Sequence, residues 1–366
     1  MKRKAIELLL ILKKILFIVP YPIGVAPSQR FRFEQYFDVL RKHDFEFTVA
    51  SFWSAKGWSI LYQRKHVWKK ILLFLLGCIH RFLLLFKIHS YHIIFLHREA
   101  LPLGPPVFEF IVTKILKKQI VYDFDDAIWL PNTSAQNSMV RKLKYHQKVG
   151  SICKWSRKVS CGNEFLVNYA KTHNDNVYLN PTTIDTTYHQ PKIKTSHPHN
   201  VIIGWTGTHS TTKYLNHLVP VLTELKNKYP IQIMIISNQK PDWEIDDYKF
   251  ISWNKAHEIR QLDQIDIGIM PLEDTLWEQG KCGFKALQYM AMEKPAVVSN
   301  VGVNKIIIDH TVDGYLCNTL EDWQTYLTEL ILSDTKRKLL GANGRKKVKQ
   351  AYSVASNTSL FLSLFE

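Results

Sequence analysis

The chain has 366 residues, of which 46% are hydrophobic and 22% are charged. This composition excludes a disordered protein, and the length exceeds the roughly 250–300 residues at which a single hydrophobic core stops growing. The 15 Gly and 15 Pro residues are close to average usage, which excludes collagen-like and low-complexity chains. We therefore expect an ordered protein of two domains.

The formal net charge of +16 is distributed unevenly along the chain. It amounts to +11 in residues 1–100 and +6 in residues 101–200, whereas residues 201–366 carry −1. Such an excess of Lys and Arg indicates an anionic partner for the first half, either a membrane surface or a nucleic acid. Because no recognition-helix, zinc-finger or single-strand-binding motif accompanies the charge, we do not expect a nucleic acid.

Strand-like and helical stretches alternate in the first half of the chain. Strands are predicted at 15–19, 45–50, 92–96, 119–122, 158–161 and 176–179, and helices at 28–41, 67–86, 106–116 and 164–172. We assign residues 1–185 to a first domain on this pattern. Residues 186–200 contain two Pro and three His without periodicity, which is typical of a linker.

Within the first domain, the stretch 67–88 is strongly apolar. It lies between Glu46 and Glu99, a window with eight Lys or Arg residues and no acidic residue. Its longest uninterrupted apolar run is far shorter than the roughly 20 residues that span a bilayer. We predict a helix that lies on an anionic membrane surface, with cations such as Arg81 directed at lipid phosphates. The alternative is a helix buried in its own domain with the cations at its edges.

A second strand and helix series follows the linker. Strands are predicted at 201–205, 231–237, 250–253, 265–270, 296–299 and 314–317, and helices at 211–228, 256–261, 283–292, 320–332 and 335–350. Residues 201–350 thus form a second domain, and 351–366 form a helix, with a crossover back to the first domain as one course open to it. The alternation predicts an α/β protein of two Rossmann-like parallel-sheet domains that face an interdomain crevice.

The cysteines and the amino terminus bear on localisation. The five Cys include no C-x-x-C pair, which is typical of reduced residues in a cytoplasmic protein and not of a zinc site or a disulfide framework. The first residues resemble a signal peptide, but Glu7 and the pair Lys13-Lys14 interrupt its apolar core. The linker histidines have no metal-ligand spacing. We therefore predict a cytoplasmic protein without a metal, associated peripherally with the inner face of the plasma membrane.

Two loops of the second domain are suited to bind phosphate. The strand 201–205 leads into a hydroxyl-rich turn that contains Gly207 and Thr208, and Lys213 follows in the next helix. Helix amino termini offer free backbone N–H groups and the positive end of the dipole. Taken alone, the first loop is better explained as an ordinary strand–helix turn with a solvated lysine. The second loop follows 265–270 and carries Glu278, Gly280, Lys281, Gly283 and Lys285 before a helix. Together the loops suggest a diphosphate ligand such as a nucleotide sugar.

At these residues the sequence resembles the family 4 glycosyltransferases of the GT-B fold over nearly its whole length. Gly207 to Lys213 resembles the family's donor-phosphate loop, and Gly280 to Gln288 occupies the place of its glutamate-seven-residues-glutamate motif. The chain departs from the family at Thr208, which replaces an arginine, and at Gly280 and Gln288, which replace the two glutamates. Gln288 retains a carbonyl that can accept a hydrogen bond from ribose.

The resemblance implies a retaining, metal-independent glycosyltransferase without a cofactor. Its donor is a nucleotide sugar, and its acceptor is a glycan or polyprenyl-linked sugar of cell-envelope polysaccharide or glycolipid synthesis. The residues assigned to the reaction are Lys213, Lys281, Lys285, Asp125 and Asp126. Donor-binding roles fall to Gly207, Thr208, Glu278, Gly280, Gly283 and Gln288. Acceptor-binding roles fall to Gly24, Arg30, Arg32, His97 and Arg98.

Other interpretations remain open. The acidic group Asp123, Asp125 and Asp126 suits a metal site or an aspartyl-phosphate nucleophile as well as an acceptor site or a helix cap. A nucleotide-sugar epimerase of the same fold would need acid and base carboxylates that Gly280 and Gln288 do not offer. A membrane-associated scaffold with weak activity agrees with the missing glutamates but not with the retained Lys213.

Overall fold

The computed structural model describes residues 13–61, 66–131, 143–191, 200–241, 243 and 245–366. The signal-like residues 1–12, the cations Arg64 and Lys65, and residues 192–199 of the predicted linker lie outside the described residues.

Each half of the described chain contains a six-stranded sheet in which every pairing is parallel. The first sheet has the order β2-β1-β3-β4-β5-β6 and the second the order β12-β11-β10-β7-β8-β9. The strands are β1 (Lys13–Val19), β2 (Phe45–Ser51), β3 (Ile93–His97), β4 (Ile120–Phe124), β5 (Lys158–Cys161), β6 (Val177–Leu179), β7 (Val201–Gly207), β8 (Ile231–Ser237), β9 (Lys249–Ser252), β10 (Ile267–Met270), β11 (Ala296–Ser299) and β12 (Gly314–Cys317). The predicted pair of Rossmann-like domains is therefore confirmed.

Helices connect the strands in both domains. The α-helices of the described first half are Pro27–Arg30, Phe37–Lys42, Ala55–Leu61, Val67–Leu84, Val107–Phe110, Lys148–Trp155 and Glu164–Lys171. Those of the described second half are Val219–Lys228, Glu258–Asp263, Leu276–Gln279, Phe284–Ala291, Asn304–Ile307, Leu320–Leu332, Asp334–Ala351 and Val354–Ser363. Segments of 3₁₀ or π helix are Glu34–Tyr36, Ile88–Ser90, Ile111–Ile115, His209–Leu218 and Lys255–His257.

Two predicted helices are interrupted. The helix predicted at 28–41 breaks at residues 31–33, and Phe31 and Phe33 are both buried there. Residues two apart lie on opposite faces of a continuous helix, so the break allows both rings to enter cores. Phe31 packs on Phe284 of the second domain, and Phe33 stacks on Phe17 of the first. The helix predicted at 211–228 becomes α-helical only from Val219, because Pro220 lacks the N–H that a longer helix would need.

The last helix, Val354–Ser363, lies against the first domain although it follows the second in the chain. Phe361 and Phe365 are fully buried among β1, β3 and the turn at Tyr36. The rings of Tyr36 and Phe361 stack with centroids 4.1 Å apart. The carboxyl terminus therefore ties the two domains together.

The helix Val67–Leu84 exposes an apolar face. Its exposed large side chains are Val67, Trp68, Ile71, Leu72, Leu75, Leu76, Ile79, Phe82 and Leu83. Arg81 instead is buried and donates hydrogen bonds to the backbone oxygens of Val19, Ala50 and Ala100. The prediction that Arg81 faces lipid is therefore wrong, because this cation anchors the helix to the sheet. No helix among the described residues combines the length and hydropathy needed to cross a membrane.

Candidate active site in the interdomain crevice

A cavity of about 760 Å³ lies between the two domains and is lined by residues of both. The carboxyl ends of β7 and β10 face it from the second domain, and the loops after β1, β3 and β4 face it from the first. Ligands of open parallel sheets bind at this end of the strands. The cavity is therefore the candidate active site.

The loop after β7 forms one wall of the cavity through Thr206, Gly207 and Thr208. A Cβ atom at Gly207 would lie 2.5 Å from the Trp205 ring and 2.9 Å from Cε of Lys285, so only glycine fits this close approach. Lys213, in contrast, is exposed and does not line the cavity. Its ammonium group lies 4.8 Å from the Tyr214 ring centroid.

The helix Phe284–Ala291 begins at the cavity. Gly283 precedes it with a φ of +65°, a left-handed conformation that favours glycine, and Gly283, Phe284 and Lys285 line the cavity. Within the described residues, the Lys285 ammonium has no hydrogen-bond or ion-pair partner and lies 5.5 Å from the Trp205 ring centroid. Burial lowers the pKa of Lys285 to about 8, with a further contribution from Lys281 and opposition from Asp126. The second domain thus offers a cation and a helix amino terminus side by side.

Two residues of the glutamate-motif region do not line the cavity. Gly280 packs against the first domain, where a Cβ atom would lie 2.7 Å from the backbone nitrogen of Ala127. A glutamate at this position has no room in this arrangement of the domains. Glu278 is buried and accepts hydrogen bonds from the hydroxyls of Tyr214 and Thr275. Both residues, predicted to bind the donor, instead support the loop and its contact with the first domain.

Gln288 does line the cavity. Its Nε2 lies 3.5 Å from Nε2 of His189, whose Nδ1 lies 3.2 Å from the carbonyl oxygen of Asp185. Burial lowers the pKa of His189 to about 4, so the ring is neutral. With Nδ1 donating to Asp185, Nε2 of His189 accepts from the Gln288 amide and leaves Oε1 of Gln288 for a ligand. His189 was predicted to lie in the linker, but it is buried beneath the site.

Two predicted acceptor-binding residues are incorporated into the core of the first domain. Arg32 and His97 are almost completely buried, and both bind the carboxylate of Asp123, with His97 Nδ1 2.8 Å from Oδ2. Ser160 also donates to this carboxylate at 2.6 Å. Burial raises the pKa of Asp123, but Arg32 and His97 outweigh that effect and hold the pKa well below its usual range. Arg32 lines the cavity and His97 does not, but Asp123 occupies both side chains, so neither is available for the predicted acceptor contacts.

Two more predicted acceptor residues lie at contacts between the domains. Arg30 makes two hydrogen bonds to the carboxylate of Glu258, and both side chains are buried. Gly24, at a φ of +82°, donates its N–H to Glu34 and faces Lys255, whose ammonium would lie 2.6 Å from a Cβ atom here. Arg30 and Gly24 therefore join the domains in this structure and are not directed at the cavity.

Arg98, Asp125 and Asp126 line the cavity from the first domain, as predicted from the strand ends. Arg98 binds both carboxylates, and the Lys281 ammonium of the second domain lies 2.9 Å from Oδ1 of Asp126. Arg98 has a φ of +61°, a strained conformation for a residue with a side chain and one that is common at functional sites. This ion-pair network connects the domains across the cavity.

Part of the cavity lining has no signal in the sequence. The half of the cavity that belongs to the first domain is also lined by Tyr21, Trp58, Lys144 and His146. These residues come from three different connections between strands and match no motif, so only the tertiary structure identifies them. No group of three or more His, Cys, Asp or Glu side chains within the described ranges has the arrangement of a metal site.

Comparisons with known proteins agree with this architecture. Residues 200–333 match the family described as "Glycosyl transferases group 1". Sucrose-phosphate synthase from Thermosynechococcus elongatus superposes with a TM-score of 0.69 at 11% identity, covering 96% of this chain and 98% of that chain. A glycosyltransferase from Rickettsia africae gives 0.67 at 15% identity, covering 96% and 97%.

Anabaena HepE in complex with UDP-glucose gives a TM-score of 0.64 at 13% identity, covering 96% of this chain and 99% of that chain. A comparison of the sequence with curated proteins finds no significant match. The family match and the fold together confirm the resemblance to glycosyltransferases of the GT-B type and the prediction of a glycosyltransferase. Residues 200–333 thus match a group 1 glycosyltransferase domain, and the chain as a whole has the GT-B fold.

Proposed function

We propose that this chain transfers a sugar from a nucleoside diphosphate sugar to a glycan or lipid-linked acceptor. The observation that carries the proposal is the Lys285 ammonium, which has no acidic partner among the described residues and lies in the cavity at the start of the helix Phe284–Ala291. A diphosphate bound there would be neutralised by Lys285 and by free N–H groups of the helix. The UDP-glucose bound by HepE makes uridine diphosphate sugars the first donors to test.

The chemistry requires stabilisation of the leaving group. When the bond between the sugar C1 and the phosphate oxygen breaks, negative charge develops on the departing diphosphate, and fixed cations and N–H groups lower the barrier. Lys285 would take this role first, with Lys281 as a second cation if it exchanges Asp126 for phosphate. Oε1 of Gln288 would accept a hydrogen bond from ribose. We propose a retaining reaction without a metal, as the resemblance implies.

The test is nucleotide binding by a matched pair of variants. Lys285→Met should weaken UDP binding by about tenfold or more, equivalent to about 1.4 kcal/mol. Lys349→Met, which removes an exposed lysine of the second domain, should leave the affinity unchanged. Isothermal titration with UDP and UDP-glucose measures both. An unchanged affinity in Lys285→Met, with normal thermal stability, would contradict the assignment.

The Lys213→Met variant tests whether phosphate is bound by Lys213, as the resemblance of its loop to the donor-phosphate loop implies, or by Lys285, as proposed above. Because Lys213 is exposed outside the cavity lining, we expect UDP affinity within about threefold of wild type, under roughly 1 kcal/mol. A loss as large as that of Lys285→Met would return the phosphate-binding role to Lys213. Binding without turnover on any tested acceptor would favour the scaffold alternative.

We further propose that the enzyme acts at the inner face of the plasma membrane in envelope polysaccharide or glycolipid synthesis. The support is the exposed apolar face of Val67–Leu84, where Trp68 is 83% and Leu72 58% exposed, with exposed Lys69 and Lys87 at its two ends. Such a face suits the headgroup region of an anionic bilayer.

Sedimentation with vesicles that contain an anionic phospholipid tests this localisation. The double variant Trp68→Ser/Leu72→Ser should reduce vesicle binding at least fivefold. Leu339→Ser, at a 58% exposed leucine of the second domain, is the control and should bind as wild type does. Equal binding of all three proteins would remove the membrane from the proposal.

A further inference from the structure

The half of the cavity that belongs to the first domain contains an ammonium group of its own. Lys144 lines the cavity there and has no hydrogen-bond or ion-pair partner among the residues that the structure describes. The domain of Lys285 binds the donor under the proposed function, so Lys144 lies on the side left for the acceptor. A cavity with one unpaired cation in each domain is suited to two anionic groups.

The other cations near Lys144 are already paired. Lys148 lies 2.6 Å from the carboxylate of Glu99 and donates to the backbone oxygen of Leu101. Arg98 binds Asp125 and Asp126, and Arg32 binds Asp123. Among the described lining residues of the first domain, Lys144 is therefore the cation that retains its full capacity for an anion.

His146 lies two residues further along the chain and also lines the cavity. Its Nδ1 lies 3.0 Å from the carbonyl oxygen of Ile128, so Nδ1 carries a proton and, in the neutral ring, Nε2 has a lone pair. Nε2 is buried and has no hydrogen-bond partner within the described residues. A buried acceptor without a donor is costly, which indicates that a ligand hydroxyl satisfies it.

An aromatic wall completes this half of the cavity. The rings of Tyr21 and Trp58 have centroids 4.8 Å apart, and both residues line the cavity together with Pro20, Ile128 and Leu130. Apolar walls with a few placed polar groups are typical of small-molecule sites. A sugar ring has an apolar face that suits such a wall and hydroxyls that can donate to Nε2 of His146.

We propose that the acceptor is a sugar that carries an anionic group, a phosphate or a carboxylate, with the anion bound by Lys144 and a hydroxyl donating to Nε2 of His146. This inference rests on the proposed function and specifies the acceptor class.

Burial, together with Arg98 and Lys148, lowers the pKa of Lys144, and Glu99 opposes the shift. A bound anion would favour the ammonium form of Lys144 and raise this pKa again.

Calorimetric titration of the whole chain, saturated with UDP to occupy the donor side, tests the proposal. The probes are glucose 6-phosphate, glucuronate and uncharged glucose. We expect wild type to bind at least one of the two anionic sugars at least tenfold more tightly than glucose. Lys144→Gln should abolish this preference, and Lys144→Arg should retain it. Lys154→Gln, at an exposed lysine of the same domain, is the matched control.

His146→Ala should weaken the binding of all three sugars by a similar factor, because it removes a hydroxyl contact and not a charge. Equal affinities for glucose and both anionic sugars, or a preference that survives Lys144→Gln, would overturn the proposal. UDP affinity in Lys144→Gln should match wild type. Failure of wild type to bind UDP would instead count against the proposed function, so the two failures are distinguishable.

Discussion

The two walls of the crevice use charge in different ways. On the wall of the first domain, several cations bind carboxylates: Arg32 is bound to Asp123, Lys148 to Glu99, and Arg98 to two aspartates. On the wall of the second domain, Lys285 lies near the hydroxyl-rich loop after β7 and makes no ion pair with the described residues. Clusters of charged residues therefore identify parts of the fold more often than ligand contacts, and a cation without a partner is the better indicator of a site.

This contrast predicts that, among the variants considered, Arg32→Met changes the stability of the protein most. The Arg32 guanidinium is buried and paired with Asp123. Arg32→Met should lower the free energy of unfolding by about 3–5 kcal/mol, because it leaves the Asp123 carboxylate buried without its cation. Urea unfolding of purified protein measures the change. A loss below about 1 kcal/mol, with acceptor binding impaired instead, would return Arg32 to the ligand site.

A smaller loss of stability is expected from substitution of Gly280, which lies at a contact between the two domains. Gly280→Ala introduces a methyl group against the backbone of Ala127 and should cost about 1–3 kcal/mol of overpacking, which domain separation can relieve. We expect a more expanded protein in small-angle scattering. Gly104→Ala is a useful control for added bulk, since no atom lies within 4 Å of its Cβ position, although its φ of +83° adds some strain. A compact Gly280→Ala protein with wild-type stability would contradict this account of the missing glutamate.

The pH dependence of donor binding follows from Lys285. Its pKa is lowered to about 8 by burial, so the ammonium is charged below pH 8 and is lost as the pH rises through that value. The charged groups that face it are Lys281, which favours the loss, and Asp126, which opposes it. UDP affinity should fall by up to about tenfold, or 1.4 kcal/mol, per pH unit above 8. Titrations at pH 7, 8 and 9 measure the change, and Lys285→Arg should bind equally at all three.

The smallest effect is expected for an ion pair on the surface. Arg41 lies 2.6 Å from Asp38, and both side chains are mostly exposed. Arg41→Met should change the free energy of unfolding by no more than about 1 kcal/mol, because solvent screens the pair. The same urea titration that measures Arg32→Met serves here. Equal losses of unfolding free energy in Arg32→Met and Arg41→Met would contradict the expectation that the buried ion pair stabilises the protein more than the exposed one.

The amino-acid sequence by itself determined the architecture. Each of the twelve predicted strands overlaps a strand of the described structure, because buried parallel strands produce apolar runs such as Ile231–Ser237 that local periodicity reveals. The positions of Asp125, Asp126 and Arg98 at the cavity also followed, since strand carboxyl ends meet at one edge of a sheet. These features depend on near neighbours in the chain.

Only the tertiary structure decided which charged residues are available to a ligand. Arg30 and Lys285 are both cations near a predicted crevice. Arg30 makes an ion pair with Glu258, which is 228 positions away in the chain, whereas Lys285 makes no ion pair with the described residues. Lys144 and His146 carried no motif and became visible through their position beside Tyr21 and Trp58. The pairing of a charge depends on contacts between distant segments, and local sequence does not encode these contacts.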